Sequence, residues 1–272
     1  MSMHHLPSVF RYQPCWELDR KSLRADKISI ESIWTSKPDS LNDPLDMTPI
    51  YDELHIGMHD ESLIKIHQNF AAELYHGDKY LKEMVTQNLR KDINSWVLNK
   101  IKNDELLDSF KTRIYDMGVA CFSRNLNSPI MWAHYAGNGE GFILEYKIDE
   151  MKLAENNMKW HFIEMNYSTH SLKIGLNELL ATPLPSMKRV FSAKTLPWSY
   201  ENEWRLIYLG SGNSSQSIPI GMNLNSIILG AKSPQQQTEL IKRKCRNWDI
   251  NCYDFKNIGD KNHFIKQQQR IF

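Results

Sequence analysis

The sequence lacks most of the features from which a function is assigned directly. No stretch of its 272 residues approaches the roughly 18 apolar residues that cross a bilayer, so we expect no membrane span. The four cysteines include no C-x-x-C pair, which indicates neither a zinc site nor a disulfide framework and favours a reduced, cytoplasmic setting. The first ten residues, MSMHHLPSVF, have no basic segment followed by an apolar run and do not predict a secretory signal.

An excess of charge of one sign is also missing. The formal net charge is +1, so no global field favours nucleic acid or an anionic membrane. The modest basic run KRKCR at 242–246 is explained by a solvated helix face. No P-loop, G-x-G-x-x-G, H-E-x-x-H or G-x-S-x-G motif occurs in the chain. No motif therefore assigns the chain directly to the P-loop, dinucleotide-binding, zinc-protease or serine-hydrolase classes.

Aromatic residues, by contrast, are plentiful, with 8 Trp, 11 Tyr and 10 Phe. Such a content suits a well-packed core or a pocket in which rings stack. The length allows one large domain or two small ones, and we interpret residues 1–272 as a single domain.

Apolar patterning predicts strands and helices in mixed order. Strands are expected at 9–13, 28–36, 117–123, 140–148, 160–168, 203–209, 217–222, 225–230 and 250–255, and helices at 16–26, 127–137, 171–181, 184–194 and 234–248. Residues 60–113 are polar and free of proline, and we interpret them as two or three helices inserted in the domain. Because strands and helices do not alternate regularly, the predicted fold class is α+β.

Two glutamates, Glu201 and Glu203, lie at the start of an apolar strand in the segment WSYENEWRLIYL. In a strand the two side chains share one face, and their repulsion raises the pKa of one of them if they are partly buried. Such a pair can hold a sugar hydroxyl and stabilise positive charge at an anomeric carbon. Spacing alone favours a simpler interpretation, in which Arg205 forms a surface ion pair at a solvated strand edge.

The segment SPIMWAHYAG at 128–137 predicts a helix, because it begins with Ser and Pro and ends at a glycine. Several of its faces are apolar, so we expect the helix to be deeply packed. His134 is then either a hydrogen-bonded core histidine or a group that lines a pocket, and the core is favoured. No second His or Cys stands at ligand spacing nearby, so no metal site is predicted there.

Two serines, Ser36 and Ser123, each end a predicted strand. A capping role in the following turn is favoured over a nucleophilic role for both. The tripeptide Asn42, Asp43 and Pro44 predicts a tight turn, because Asn and Asp side chains bond the nearby backbone there.

Several short motifs, in their order along the chain, resemble those of a widespread bacterial family of proteins of unknown function. The motifs are F-R-Y at 10–12, W-T-S…L-N-D-P at 34–44, C-F-S…M-W-A-H-Y-A…G-F-I-L-E-Y at 121–146 and W-S-Y-E-N-E-W-R at 198–205. The resemblance covers residues 9 to about 230 and leaves out the 60–113 segment and the last 40 residues.

The order of the same clusters also resembles the ADP-ribosyltransferase fold, especially the branch that modifies DNA bases. In that fold an opening strand carries a His or Arg, a second strand ends near a Ser, a helix begins S-P-M and a late strand begins at the catalytic Glu. Here F-R-Y, W-T-S, S-P-I-M-W and E-N-E-W-R-L fill those places. The fold's G-x-x-S-T type elements are absent.

This second resemblance implies a fold and a reaction. The fold would be a mixed, mainly antiparallel split-sheet core, and the substrate would be NAD. Glu203 would stabilise the oxocarbenium-like ribose, and Glu201 would position or deprotonate the acceptor. The acceptor would be a nucleic acid or a protein, as expected of a toxin or a phage-defence effector.

The resemblance also implies which residues bind substrate. Arg11 would bind a phosphate or the ribose of NAD, as a fixed cation suits that task. The remaining candidates are Tyr12, Trp132 and Tyr135 for stacking on nicotinamide, His134 for a hydrogen bond to substrate, and Ser36 in the place of the fold's serine.

Two other functions are compatible with the same residues. One is a non-catalytic binding or structural module, in which a buried polar network holds the sheet to the helix through Trp132, His134, Tyr135, Glu203 and Arg205. The other is a metal-dependent nuclease, which requires Asp43 to converge with the two glutamates. The sequence places only the two glutamates as neighbours.

Overall fold

The computed structural model of the chain describes residues 7–17, 19, 21–52, 105–156, 159–175, 178, 183–257 and 264–267. Most of the predicted helical insertion at 60–113 lies outside these residues. Within the described residues, no helix is long and apolar enough to cross a membrane.

The described residues form fourteen strands. They are β1 (Ser8–Gln13), β2 (Ser32–Thr35), β3 (Ile50–Asp52), β4 (Met117–Ser123), β5 (Phe142–Ile148), β6 (Trp160–Glu164), β7 (Asn166–Ser168), β8 (Lys173–Gly175), β9 (Ala193–Thr195), β10 (Glu203–Ser211), β11 (Ser214–Ser217), β12 (Met222–Leu229), β13 (Asn251–Asn257) and β14 (Phe264–Gln267).

Five α-helices accompany them in the same part of the chain. They are α1 (Glu105–Asp116), α2 (Pro129–Tyr135), α3 (Glu150–Asn156), α4 (Pro183–Ser192) and α5 (Gln235–Trp248). Helix α2 begins as its sequence predicts, with Ser128 as the N-cap, whose hydroxyl accepts the N–H of Met131, and with Pro129 in the first turn.

An open sheet of eight strands forms the centre of the structure, in the order β14-β13-β12-β5-β1-β4-β10-β6. All neighbours are antiparallel except β12 and β13, which α5 joins as a parallel crossover. Three two-stranded ribbons, β11-β2, β3-β8 and β7-β9, lie outside this sheet. The chain is therefore a mixed α and β structure with a mainly antiparallel open sheet, in agreement with the predicted class.

The sheet is narrowest between β1 and β4, which share a single register pair, Phe10 with Ser123. On its other side β1 pairs with β5 over all six of its residues, and β4 pairs with β10 along most of its length. The sheet thus consists of two well-paired halves joined at one position. Beyond that position, the facing edges of β1 and β4 are available to line a cleft.

Register decides which side chains share a face of the sheet. Phe10 and Glu203 both pair with Ser123, so these three side chains lie on one face. Arg11 and Phe122 are their neighbours along the strands and lie on the other face. Arg11 therefore lies on the opposite face of the sheet from Glu203, although the resemblance assigns both residues to one substrate site.

The face that carries Glu203 is covered by two apolar clusters. One includes Phe10, Tyr12 and Trp132 and packs α2 on the half that contains β1. The other includes Val119 and Ile207 and packs α1 and α4 on the half that contains β4. Polar side chains at the join between the halves consequently lie between two dry regions, where charges interact strongly.

The predicted helix at 16–26 is wrong. The backbone reverses there, with an isolated bridge between Trp16 and Leu23 and a short 3-10 turn at Arg24–Lys27. The N–H of Arg24 returns to the carbonyl of Cys15, at 2.9 Å, which a continuing helix would not allow. The apolar spacing that predicted the helix is satisfied equally well by a loop whose ends meet.

The predicted helix at 171–181 is wrong where the structure describes it, since residues 173–175 form β8 and pair in parallel with β3. The partner strand comes from more than 100 positions earlier, and local sequence carries no sign of it. The strand expected at 28–36 is shorter than predicted and is confined to β2.

Candidate functional site

A cleft with a volume of about 250 Å³ opens at the join between the two halves of the sheet. Residues of β1, β4 and β10 line it, together with the loop that follows β2, helix α2 and strand β9. Its polar lining residues include Arg11, Tyr12, Ser36, Asn42, Asp46, Ser123, Tyr135, Lys194, Glu201, Glu203 and Arg205. Six of the eight site residues predicted from sequence therefore meet in one place: Arg11, Tyr12, Ser36, Tyr135, Glu201 and Glu203.

The spacing predicts that both glutamates lie on one strand, and this prediction is wrong. Glu201 ends a 3-10 turn at Leu196–Glu201, Asn202 adopts a left-handed conformation with φ of 43°, and β10 begins at Glu203. The hydroxyl of Ser123 donates to the carbonyl of Glu201 at 2.5 Å, and the N–H of Arg124 donates to the carbonyl of Asn202 at 3.0 Å. These bonds fix the turn against the end of β4, so both carboxylates still reach the same point.

That point is the ammonium of Lys194, on the short strand β9. Its Nζ donates to Oε2 of Glu203 at 2.7 Å and to Oε2 of Glu201. The lysine side chain is 3% exposed. The backbone N–H of Glu203 donates to the hydroxyl of Tyr167 on β7 at 2.8 Å, so the strand pair β7-β9 holds both the lysine and the beginning of β10.

Arg205 supplies the second cation. Its Nε donates to Oε1 of Glu203 at 2.8 Å, and its NH1 and NH2 groups bind both carboxylate oxygens of Asp46, with an NH1–Oδ1 distance of 2.9 Å. NH1 also donates to the carbonyl of Phe191 at 3.1 Å. Arg205 is fully buried, so the surface ion pair at a solvated edge that the spacing favoured is wrong.

Three carboxylates therefore face two cations in this cluster, which leaves one negative charge in excess when all five groups are ionised. Burial opposes ionisation of Glu203, but Arg205 and then Lys194 outweigh it and lower the pKa of Glu203 to about 2. For Glu201 burial prevails: Lys194 opposes it and Glu203 adds to it, and the pKa of Glu201 is raised. The pKa values of the two neighbouring carboxyls are thus shifted in opposite directions.

Tyr135 binds Glu201 from the mouth of the cleft. Its hydroxyl donates to Oε1 of Glu201 and accepts from Nδ2 of Asn42 at 2.5 Å. Burial, followed by the hydrogen bond to the Glu201 carboxylate, raises the pKa of Tyr135. The phenol therefore stays protonated and donates a hydrogen bond to Glu201. Glu201 thus accepts from a neutral hydroxyl in addition to the Lys194 ammonium.

The predicted NAD-binding residues of β1 line the cleft from two faces. The hydroxyl of Tyr12 donates to the carbonyls of Asn125 and Leu126, at 2.7 and 3.0 Å, on the face of Glu203. The guanidinium of Arg11 donates to the carbonyl of Trp34 at 2.8 Å and lies 6.0 Å from the centre of the Phe122 ring. Burial lowers the pKa of Arg11.

His134 and Trp132 lie outside the lining of the cleft. His134 is exposed rather than in the core, and its Nδ1 lies 3.1 Å from the hydroxyl of Tyr200. Trp132 is buried between Tyr12 and Phe255, with ring centroids 5.5 and 4.6 Å away. Trp132 therefore packs against the cleft residue Tyr12, and the ring of His134 lies edge-on to those of Tyr135 and Tyr200, with centroids 6.2 and 5.9 Å away.

Sequence reasoning missed Lys194, Asp46 and Asn42. Lys194 is the last residue of the helix predicted at 184–194, where strand β9 forms instead, Asn42 belongs to the predicted tight turn, and no motif includes Asp46. The turn itself is confirmed, since the N–H of Leu45 donates to Oδ1 of Asp43 at 2.9 Å. No spacing rule connects these residues to the glutamates, because they meet only through the tertiary fold.

The acids that converge are Asp46, Glu201 and Glu203, rather than the set with Asp43 that a metal-dependent nuclease would need. An ammonium and a guanidinium occupy the space between them, where a metal ion would have to be bound. Among the described residues, no group of three or more His, Cys, Asp or Glu side chains has the arrangement to hold a metal ion.

Comparison with known proteins adds one family. A family model described as "Protein of unknown function (DUF2971)" matches residues 131–206, which run from α2 into β10. The match supports the resemblance to a family of unknown function over this range, and it includes Tyr135, Lys194, Glu201, Glu203 and Arg205. No curated protein and no solved structure matches the chain.

Proposed function

We propose that the chain is an NAD-dependent transferase that cleaves the bond between nicotinamide and ribose and passes ADP-ribose to an acceptor. The observation that carries the proposal is the pair of carboxylates at the cleft, which share one buried lysine and have opposite pKa shifts. A site that separates the proton affinities of two neighbouring carboxyls supports a reaction in which one carries charge and the other moves a proton.

Glu203 takes the electrostatic role. When the glycosidic bond breaks, its electron pair leaves with the nicotinamide nitrogen, and positive charge develops on the ribose. A carboxylate with a pKa of about 2 is ionised at every physiological pH, so its charge is in place before the reaction begins. Arg205 and Lys194 hold that carboxylate in a fixed orientation.

Glu201 takes the proton-transfer role. A raised pKa brings a carboxyl closer to neutral pH and makes its ionised form a stronger base. The acceptor group attacks the ribose carbon and gives its proton to Glu201. The phenol of Tyr135 supports the ionised form of Glu201 by donating to the same carboxylate.

The other lining residues suit the binding of a nucleotide. Tyr12 and Tyr135 present aromatic rings, Arg11 provides a cation, and the Ser36 hydroxyl lies on the same wall. The cleft is small, so it takes one end of the dinucleotide, and we assign the nicotinamide riboside end because the two carboxylates lie there. A nucleic acid or a protein remains the expected acceptor.

Release of nicotinamide tests the proposal. Purified protein is incubated with NAD alone and with DNA, RNA or cell lysate, and free nicotinamide is measured by chromatography. We expect release by the wild type, and a decrease of about 10²–10³-fold for Glu203→Gln, as is typical when one group that stabilises transition-state charge is removed. No release by the wild type under any of these conditions would contradict the proposal.

The matched control is Glu145→Gln. Glu145 is a second buried glutamate of the same sheet, on β5 outside the cleft lining, and its carboxylate is equally inaccessible. We expect Glu145→Gln to release nicotinamide at close to the wild-type rate per folded molecule. Equal losses in both variants would show that stability, rather than chemistry, explains the effect of Glu203→Gln.

A second candidate is the non-catalytic module. The observation in its favour is that Glu203 is only 4% exposed and that both of its oxygens are bound by cations. In that case the cluster joins β9, β10 and the loop after β2, and NAD neither binds nor reacts. The nicotinamide assay separates the two candidates, because only the transferase predicts release.

A further inference from the structure

Lys194 belongs to none of the sequence motifs, and the proposed reaction uses it only to help orient Glu203, although both glutamates of the site converge on it. Its side chain is almost completely buried, and its ammonium contacts both glutamates. The ring of Trp198 lies 5.1 Å from Nζ on another side. A lysine that is buried in this way needs charged partners to remain ionised.

The two cations of the cluster are used differently. Arg205 has Asp46 as a partner on two oxygens, in addition to Glu203. Lys194 lies 4.0 Å from the nearest oxygen of Asp46, beyond hydrogen-bonding distance. Its direct partners in the cluster are therefore Glu201 and Glu203, and the single ammonium is shared between them.

We propose that Lys194 is a positioning residue, whose shared ammonium orients the two carboxylates of the site and keeps Glu203 ionised while Glu201 gains or loses a proton. Without this cation, two carboxylates would face each other across a buried space, and ionisation of either would oppose that of the other. With it, the charge of Glu201 can change while Arg205 and Lys194 still bind Glu203. The inference rests on the proposed function in assigning both carboxylates to one reaction.

Charged and titratable groups face the ammonium from every element around it. They are Glu203 and Arg205 on β10, Tyr200 and Glu201 on the 3-10 turn, Asp46 in the loop after β2, Cys121 on β4 and Tyr167 on β7, with Tyr135 behind Glu201. Burial would lower the pKa of Lys194, but the attraction of Glu203 and Glu201 outweighs it and raises that pKa. The ammonium therefore keeps its charge while the glutamates titrate.

The test replaces Lys194 by methionine, which keeps the length and removes the charge, and by arginine, which keeps the charge. The full chain is labelled with carbon-13 at the glutamate carboxyls, which are assigned with Glu201→Gln and Glu203→Gln, and titrated by NMR. For Lys194→Met we expect the midpoints of both glutamates to rise by about one to three pH units. For Lys194→Arg and for the exposed control Lys232→Met, we expect midpoints close to the wild type.

Midpoints of Glu201 and Glu203 that are the same in Lys194→Met and in the wild type would overturn the proposal. If Lys194→Met does not fold, the nitrogen-15 resonance of the Lys194 ammonium in the wild type replaces it. A shared ammonium predicts that this resonance shifts with the midpoint at which Glu201 titrates. If the chemical shift of this resonance does not change as Glu201 titrates, the proposal is also overturned.

The pH dependence of nicotinamide release adds a functional readout. We expect the basic form of Glu201 to be required, so that the rising limb of the pH–rate profile moves to higher pH in Lys194→Met by the same interval as the NMR midpoint. If the wild type releases no nicotinamide, the proposed function fails. The NMR titration still decides whether Lys194 couples the two carboxyls.

Discussion

Glu145 and Glu203 are buried glutamates of one sheet, and the two halves of the sheet hold them by different means. In the half with β5, the oxygens of Glu145 accept from the hydroxyl of Ser8 at 2.8 Å, the amide of Asn225 at 2.9 Å and the hydroxyl of Ser226. The ammonium of Lys147 lies 3.9 Å from Oε1 of Glu145 and is partly exposed. In the half with β10, two buried cations bind Glu203 directly.

The glutamate outside the cleft accepts from neutral donors, whereas the glutamate at the cleft is bound by charged ones. Short neutral donors from the adjacent strands β1 and β12 satisfy Glu145 where it stands, next to the register shift between Leu224 and Ser226. Satisfying Glu203 instead requires Lys194 and Arg205, and their charges require Glu201 and Asp46. Neutral donors suit a carboxylate that serves the fold, whereas the proposed proton transfer at Glu201 needs charged partners that keep the neighbouring Glu203 ionised.

The largest difference is expected when the cation beside each glutamate is removed. Arg205→Met leaves Asp46 and Glu203 buried without their shared partner, and the loss of one partner from a buried pair costs about 3–5 kcal/mol of stability. Lys147→Met removes a partly exposed charge at a longer distance, and we expect a loss below about 1 kcal/mol. Urea unfolding at neutral pH measures both, and similar losses would contradict the distinction between the two halves.

The pH dependence of stability sharpens the comparison with a somewhat smaller effect. The pKa of Glu203 is lowered from 4.5 to about 2 in the folded protein. Its stabilising contribution is therefore complete above pH 4.5 and is lost as the pH falls towards 2, and it amounts to about 3 kcal/mol. Glu201 contributes with the opposite sign, because its raised pKa favours the folded protein at low pH and disfavours it as the pH rises through that value.

Urea unfolding between pH 5 and pH 2 checks this prediction with Glu203→Gln. The variant lacks the titrating group, so its stability is expected to fall less steeply than that of the wild type over this range. Parallel curves for the two proteins would mean that Glu203 does not have a lowered pKa in the folded state. Glu201→Gln is the matched variant, for which the steep fall of the wild type is expected to persist.

Much of the sheet could be predicted from the sequence, because its signals are local. Strand β4 is an uninterrupted apolar run, the motif E-W-R-L-I-Y-L forms most of β10, and α2 carries its own N-cap and proline. The helix α5 was equally clear from its amphipathic spacing. In each case the residues that specify the element lie within it.

The charged cluster could be predicted only in part. The glutamates stood out by their adjacency, but the left-handed Asn202 between them places Glu201 in a turn rather than on the strand. Lys194 and Asp46 reach the site from β9 and from the loop after β2, which are brought there by pairings with β7 and by contact with Arg205. Such long-range pairings leave no periodic signal in the chain.

The most direct test of the account is to map the binding of NAD on the wild-type protein by backbone amide NMR, since binding needs no acceptor. We predict that millimolar NAD shifts the amides of Tyr12, Ser36 and Tyr135 around the cleft, and leaves those of Asn225 and Ser226 beside Glu145 unchanged. An absence of shifts at the cleft, or shifts centred on the Glu145 half of the sheet, would contradict the assignment of an NAD site to Glu201 and Glu203.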